Sequence, residues 1–231
     1  MQAQIARTAP EFRAPIFRPT PPVPAFDLEP DPFDTLGTVV SVRAGGALYA
    51  EGDCATHWYR VTSGVLRTCK LLSDGRRQID RFLFAGDFFG FEPEVEHNFS
   101  AEAVSTATVV RYPRNRLDLA TADNPRVGVR LFQITLAQLG KANGRLMLLG
   151  RKTAEERVAS FLLEMRKRSS FAAAIDLPMS RVDIADYLGL TIETVSRTFS
   201  ALKQDRVIAL PNAHRVTIID LAALEELSGD V

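Results

Sequence analysis

The sequence predicts an α+β protein built from an antiparallel β jelly roll, one long helix and a C-terminal winged helix-turn-helix. Three patterns predict it: short β-branched runs punctuated by glycine between about Thr38 and Tyr112, a heptad pattern from Pro125, and a capped helix–turn–helix pattern from Ser180. The predicted organisation is an N-terminal arm at 1–34, the jelly-roll domain at 35–124, the long helix at 125–150 and the winged helix-turn-helix domain at 151–231.

The composition allows a folded core and limits the possible functions. Of 231 residues, 46% are hydrophobic and 24% are charged. No apolar run approaches the ~20 residues of a membrane span, and the N-terminus lacks a basic-then-apolar signal pattern, so we expect a cytoplasmic protein that does not engage a membrane. Two cysteines cannot form a disulfide framework. The formal net charge is zero, so any prediction of nucleic-acid binding must rest on a local motif.

The N-terminal arm is rich in proline. Eight of the 13 prolines fall within the first 32 residues. Proline lacks an amide donor and restricts the residue before it, which predicts an extended or mobile segment without a specific role.

The region after the arm has the pattern of an antiparallel barrel or jelly roll. Runs such as TVVSV, HWYRVTSGVLRTCKLL and RRQIDRFLF alternate with glycine-containing breaks. Asp74 and Gly75 separate two of these runs and predict a hairpin whose two central positions both have positive φ.

The heptad pattern predicts a helix that packs along its length against another helix. Its apolar stripe has 3,4 spacing and ends at Gly150, where the domain boundary is expected. Asn143 is its one polar side chain and could fix register and dimeric state, while Ala142 and Gly144 would allow close approach. The predicted dimer interface consists of Phe132, Leu136, Leu139, Asn143 and Leu146. The alternative is that the stripe packs against the chain's own barrel.

Capping signals mark the helices of the C-terminal domain. Thr153 and Glu156 form a capping box for a helix with a basic C-terminus. Ser180 is the predicted N-cap of the next helix, which ends in a turn at Gly189 and Leu190. Thr191 then caps a helix with inner residues Val195, Phe199 and Leu202. A two-stranded wing and a short helix capped by Asp220 follow.

The helix after Thr191 has the features of a DNA recognition helix. Its first turns contain the candidate DNA-binding residues Thr191, Ile192, Glu193, Ser196 and Arg197. Because the apolar residues face inward, Glu193 and Arg197 share the outward face. Glutamate can accept from cytosine N4, and arginine can donate two hydrogen bonds to guanine. The alternative is an exposed ion pair worth ~0.3–0.5 kcal/mol.

Several segments resemble the CRP/FNR superfamily of bacterial transcription regulators, and within it the FixK group. Two lie in the C-terminal half: TAEERVASFLLEM at 153–165, and residues 177–208, which include ADYLGLTIETVSR. The others lie in the predicted barrel and are the segments YAEGD, YRVTSGVLRTCKLLSDGRRQI and AGDFFGFE. The resemblance implies a cyclic-nucleotide-binding-like jelly roll, a dimerisation helix and a winged helix-turn-helix. It also implies a homodimer on a TTGA…TCAA-type palindrome that recruits RNA polymerase to low-oxygen genes. The family's base-reading residues correspond to Glu193, Ser196 and Arg197.

The chain departs from the sensing members of this superfamily. Iron–sulfur members carry a cysteine cluster near the N-terminus, whereas the first cysteine here is Cys54. Members that bind cyclic AMP present a Glu and an Arg, where this chain has Phe91 and Asn98. A phosphate buried without a cation is costly, so the barrel is expected to be a vestigial sensor. The alternative is a ligand-gated sensor whose barrel binds a cyclic nucleotide, haem or another effector before DNA.

The remaining reactive residues give no support for catalysis or a cofactor. Cys54 and His57 are only two potential ligands, fewer than a closed zinc site needs. Cys69 lies in a predicted strand and could face the core or solvent. No hydrolase, metalloprotease or P-loop motif is present. We therefore expect a regulator, not an enzyme, and no cofactor or metal.

Overall fold

The computed structural model describes Phe33 and residues 36–92 and 94–229. The first part contains β1 (Thr38–Val42), β2 (Ala47–Tyr49), β3 (His57–Ser63), β4 (Leu66–Leu71), β5 (Arg77–Leu83), β6 (Phe88–Phe89), β7 (Ser100–Ala103), β8 (Ala107–Pro113) and α1 (Arg114–Asp123). The second part contains α2 (Pro125–Arg151), α3 (Ala154–Arg168), β9 (Ala174–Asp176), α4 (Arg181–Leu188), α5 (Ile192–Gln204), β10 (Ile208–Asn212), β11 (Arg215–Ile218) and α6 (Leu221–Ser228).

Strands β1–β8 form the predicted jelly roll. They make two four-stranded antiparallel sheets with the orders β1-β8-β3-β6 and β2-β7-β4-β5. Alternate side chains of both sheets point into one apolar core, where Leu66, Phe89, Ala101 and Val109 are completely buried. With α2 and the C-terminal helices, this confirms the predicted α+β fold class.

The hairpin predicted at Asp74 and Gly75 joins β4 to β5, but its turn differs from the prediction. Among the described residues of this turn, positive φ occurs at Gly75 alone, at 86°. The Gly75 amide donates to the Leu72 carbonyl, and the Asp74 carboxylate accepts from the Arg76 amide. Because the loop spans residues 72–76, it does not need the paired positive φ values of a two-residue turn.

The long helix α2 begins at Pro125, as predicted. The Asn124 side chain accepts from the Arg126 amide at 3.0 Å and caps the first turn, where proline is well tolerated. The helix ends at Arg151, one residue beyond Gly150. Across the described residues, every helix is too short or too polar to cross a bilayer.

The C-terminal region contains the predicted capped helices and one strand that was not predicted. The capping box of Thr153 and Glu156 is present at the start of α3. The wing was predicted as two strands, but β9 pairs with β11 and makes a three-stranded sheet of order β10-β11-β9. The sequence prediction missed β9 because it is only three residues long and its partner lies about 40 residues away in the chain.

Barrel side chains enter the core of the helix-turn-helix region. Cys69, Ile79 and Phe82 belong to the same buried cluster as residues of α3, α4 and α5. The ring of Phe82 lies 5.2 Å from the ring of Tyr187 on α4 and 6.5 Å from that of Phe161 on α3. The jelly roll and the helix-turn-helix therefore share one hydrophobic core.

The arm predicted at residues 1–34 lies outside the described residues except for Phe33. That side chain is buried, with its ring 5.6 Å from the ring of Phe88 and 5.7 Å from that of Tyr112. It therefore belongs to the apolar cluster between the barrel and the helices α1 and α2.

Candidate nucleic-acid interface

Local hydrogen bonds define the turn between α4 and α5. Ser180 and Asp183 form a reciprocal capping box at the start of α4. Gly189 ends that helix with φ 62°, in the left-handed region that glycine adopts without steric cost. The Thr191 hydroxyl accepts from the Thr194 amide at 3.2 Å and starts α5. The predicted helix-turn-helix geometry is therefore present.

The inner face of α5 fixes which side chains face outward. Val195, Phe199 and Leu202 are buried against α3 and α4, at the spacing expected for one helix face. The five predicted DNA-binding residues Thr191, Ile192, Glu193, Ser196 and Arg197 are all exposed. The structure therefore brings them together on one outward surface, at and just after the N-terminus of α5.

Glu193 and Arg197 lie on this surface without forming an ion pair in the described structure. A hydrogen bond from its own backbone amide, another from the Thr191 hydroxyl and the charge of Arg197 lower the pKa of Glu193, so the carboxylate is ionised at neutral pH. The Arg197 guanidinium contacts the Thr194 hydroxyl at 3.4 Å. Both head groups can therefore reach a ligand without first separating from each other.

Two arginines that the sequence analysis did not select hold the helix-turn-helix together. The Arg181 guanidinium stacks on the Phe199 ring at 3.6 Å, and burial lowers its pKa. Arg157 donates to the carbonyls of Leu188 and Leu149 at 2.9 and 3.0 Å, which caps the C-terminal ends of α4 and α2. Sequence spacing could not identify them because each acts across two or more elements.

Helix α2 has two stripes on roughly opposite faces. One stripe packs on the barrel, with Ile134 buried and Gln138 donating to the Phe88 carbonyl at 2.9 Å. The predicted dimer-interface stripe is the other one, and its large apolar side chains are half or more exposed. These are Phe132, Leu136, Leu139 and Leu146, with Asn143 exposed among them, and Val129 at the same spacing is exposed as well. The alternative prediction, that this stripe packs against the chain's own barrel, is wrong.

The barrel position that corresponds to a nucleotide site is narrow and crowded by aromatic rings. A cavity of about 140 Å³ there is lined by Phe91 and Asn98 among others. The ring of buried His97 stacks at 3.6 Å on the ring of Tyr49, which lines this cavity. The cavity is smaller than the roughly 300–1,000 Å³ of most small-molecule pockets. No cation was expected here from the sequence, but Arg81 lines the cavity, with its guanidinium 2.9 Å from Asp80.

A larger cavity of about 570 Å³ lies between β5, α2 and α3. Two of its cationic side chains pair with a carboxylate, since Lys141 and Arg168 each lie 2.8 Å from Asp87. Its apolar wall includes Phe161 and Leu148. The volume suits a small molecule, and the lining also includes the basic residue Lys167.

The cysteines and histidines in the described part of the barrel do not form a metal site. Cys54 is exposed, whereas Cys69 faces the core, where burial raises the pKa of its thiol and makes it less nucleophilic. Burial also lowers the pKa of His57. Across the described residues, no three or more of His, Cys, Asp and Glu are grouped to hold a metal ion.

Two family models match this chain. The model described as a cyclic nucleotide-binding domain matches residues 39–124, and that described as a Crp-like helix-turn-helix domain matches residues 156–227. The chain is 45% identical to the nitrogen fixation regulation protein FixK of Azorhizobium caulinodans over 83% of this chain and 79% of that protein. It is 39% identical to the transcriptional activatory protein AadR of Rhodopseudomonas palustris, over 80% and 79% of the two chains.

A solved structure has the same architecture. FixK2 from Bradyrhizobium japonicum superposes with a TM-score of 0.80 at 41% identity, covering 84% of this chain and 98% of that chain. The similarity therefore extends over both the barrel and the helix-turn-helix.

Proposed function

Because the chain belongs to the CRP/FNR family and is a FixK-like DNA-binding transcription regulator, we propose that it binds a TTGA…TCAA-type palindrome as a homodimer. Bound there, it recruits RNA polymerase and activates genes for growth at low oxygen, including nitrogen fixation. It needs no small-molecule effector to bind. The observation that carries the proposal is the exposed group formed by Glu193, Ser196 and Arg197 at the start of a capped recognition helix.

The chemistry of this group suits base recognition. An ionised Glu193 can accept from cytosine N4, and Arg197 one helical turn later can donate to O6 and N7 of guanine. Thr191 and Ser196, close to the positive end of the helix dipole, suit phosphate oxygens. The lowered pKa of Glu193 supports this role because the carboxylate keeps its acceptor form.

The exposed stripe of α2 supports the proposed dimer. Apolar side chains repeated at heptad spacing on a solvent-facing side of a 27-residue helix have the pattern of a coiled-coil seam. Two copies that pack along this stripe would bury it and place their recognition helices symmetrically. Asn143 within the seam would then favour one register.

The proposal is tested by selecting bound sequences from random duplexes, using the purified protein without any additive. We expect enrichment of two inverted half-sites about one duplex turn apart. Recovery of sequences without a shared half-site would contradict the proposal. Recovery of the palindrome only after a nucleotide or another effector is added would contradict effector independence.

The 570 Å³ cavity favours one second candidate, a ligand-gated regulator whose effector binds between β5, α2 and α3. Calorimetry with cyclic AMP and cyclic GMP and an absorption spectrum of the purified protein distinguish the two functions. Heat of binding or a haem band, accompanied by tighter DNA binding, would favour the second candidate.

Replacing Glu193 with alanine is expected to relax the choice of base at one position in each half-site. The lost discrimination should be about 1–3 kcal/mol, the usual value of one good base contact. Binding to duplexes with each of the four bases at that position measures it. Glu155→Ala is the matched control, since Glu155 is also an exposed carboxylate in the first turn of a helix. An unchanged base preference in the Glu193 variant would rule out this role.

A further inference from the structure

We propose that Arg67 and Arg77 are positioning residues, and that the barrel hairpin β4–β5 uses them to set the half-site spacing the protein accepts. They fix the direction in which α4, and therefore the recognition helix α5, points from the barrel. The inference rests on the proposed dimeric binding of a palindrome and adds the residues that determine its spacing.

The first observation is an ion network at the N-terminal end of α4. Arg67 Nη1 lies 2.8 Å and Arg77 Nη2 lies 2.6 Å from the same oxygen of Asp183. Arg77 also donates through Nε to Asp186 at 2.8 Å. Asp183 forms the capping box of α4 with Ser180, so the hairpin binds a residue in the first turn of this helix.

The network is largely shielded from water. The side chains of Asp183 and Arg67 are 9% and 16% exposed, and that of Arg77 is 26% exposed. Arg67 also pairs with Glu102 on β7 at 2.6 Å, which ties its position to the sheet. Removing one partner of such a pair leaves a desolvated charge behind, so water cannot replace these contacts without cost.

The second observation is at the other end of α4, where carbonyls that lack a partner within the helix accept from distant side chains. Gln78 Nε2 on β5 donates to the Asp186 carbonyl at 2.7 Å. Arg145 on α2 donates to the Tyr187 carbonyl and stacks on the Tyr187 ring at 3.8 Å. The barrel therefore holds both ends of α4, and the proposed dimerisation helix also holds its C-terminal end.

Helix α5 keeps a fixed orientation relative to α4 because the two helices share a core. Val195 and Phe199 pack with Ile184 and Leu188 in one buried cluster, so the two helices move as one body. In a dimer, the distance and angle between the two recognition helices are then set by how each α4 sits on its barrel.

Half-site spacing is sensitive to this angle. The half-sites of a two-fold complex lie about one turn, roughly 34–36 Å, apart, and each added base pair rotates one half-site by about 35°. A rigidly held helix-turn-helix cannot follow that rotation. A helix-turn-helix released from the hairpin could follow the rotation. The protein would then prefer the normal half-site spacing less strongly.

The experiment measures binding to the palindrome and to duplexes whose spacer is one base pair shorter or longer. We expect the wild-type protein to prefer the normal spacing by at least about tenfold, which is about 1.4 kcal/mol. In Arg67→Ala/Arg77→Ala we expect this preference to fall to about threefold or less. Base preference within a half-site should stay unchanged, which a general loss of folding would not allow.

Two further variants keep the test decisive. Arg76→Ala is the matched control, because Arg76 lies in the same hairpin and pairs with Asp74 of its own turn at 2.7 Å, so the variant should behave as wild type. Asp186→Asn removes the carboxylate on α4 that pairs with Arg77 and leaves the capping box unchanged. It should weaken the preference for the normal spacing, and it tests the proposal even if the double variant does not fold.

The outcomes separate the two proposals. A wild-type spacing preference that persists in both the double variant and Asp186→Asn overturns the role of the hairpin and leaves the dimeric function intact. A wild-type protein that binds all spacings equally contradicts the rigid dimer itself.

Discussion

Replacing Arg197 with alanine is expected to abolish sequence-specific DNA binding while leaving the fold intact. Its side chain is exposed and contacts Thr194 at 3.4 Å, so its loss removes little from the free protein. One guanine contact is worth about 1–3 kcal/mol, and a dimer loses it twice, a total of about 2–6 kcal/mol. That is comparable with the ~4–10 kcal/mol by which specific binding usually exceeds non-specific binding. Titration of the palindrome and of a scrambled duplex measures the effect, and circular dichroism checks the fold.

The control for this experiment is Lys203→Ala. Lys203 is also exposed and basic, but it lies in the last turn of α5, away from the proposed base contacts. Its loss should weaken binding to both duplexes alike, as expected for a phosphate contact. An Arg197 variant that still prefers the palindrome as strongly as the wild type does would refute the assigned role.

Replacing Leu139 with glutamate is expected to dissociate the dimer. Leu139 is 56% exposed in the single chain, so the substitution spares the core of each subunit. In the proposed dimer, the substitution would bury a carboxylate between the two helices. It would also remove the contribution of a buried leucine to the free energy of dimerisation, about 1.5–3 kcal/mol in each subunit. The dimer dissociation constant should rise at least about 100-fold, equivalent to about 2.7 kcal/mol. Sedimentation equilibrium over a range of protein concentrations measures it.

Ala137→Glu is the matched control, because Ala137 is an exposed residue of the same helix that lies on neither stripe. This variant should dimerise as the wild type does. A Leu139 variant with an unchanged dissociation constant, or a wild-type protein that stays monomeric at high concentration, would exclude the stripe as the interface.

Features with local causes were predictable from the sequence. The caps at Thr153, Ser180 and Thr191 and the turn at Gly189 depend on residues within a few positions, and the structure contains all of them. The exposed positions on α5 follow directly from the inward spacing of its apolar residues.

Features that join distant segments were not predictable. Arg77 and Asp183 are 106 residues apart, and nothing in the sequence between them indicates that they meet. Strand β9 is too short to have a pattern of its own. Arg81 lines the 140 Å³ barrel cavity together with Tyr49 and Phe91 from distant parts of the chain, which no local pattern encodes.

The core that Cys69, Ile79 and Phe82 share with α3, α4 and α5 has a consequence for cooperativity. The barrel and the helix-turn-helix match separate family models, but we expect them to unfold in one cooperative transition. Unfolding either one would expose apolar surface of the other to water. A C-terminal fragment cut near residue 151 would leave that surface uncovered. We therefore expect such a fragment to be less stable than the same residues are in the whole chain.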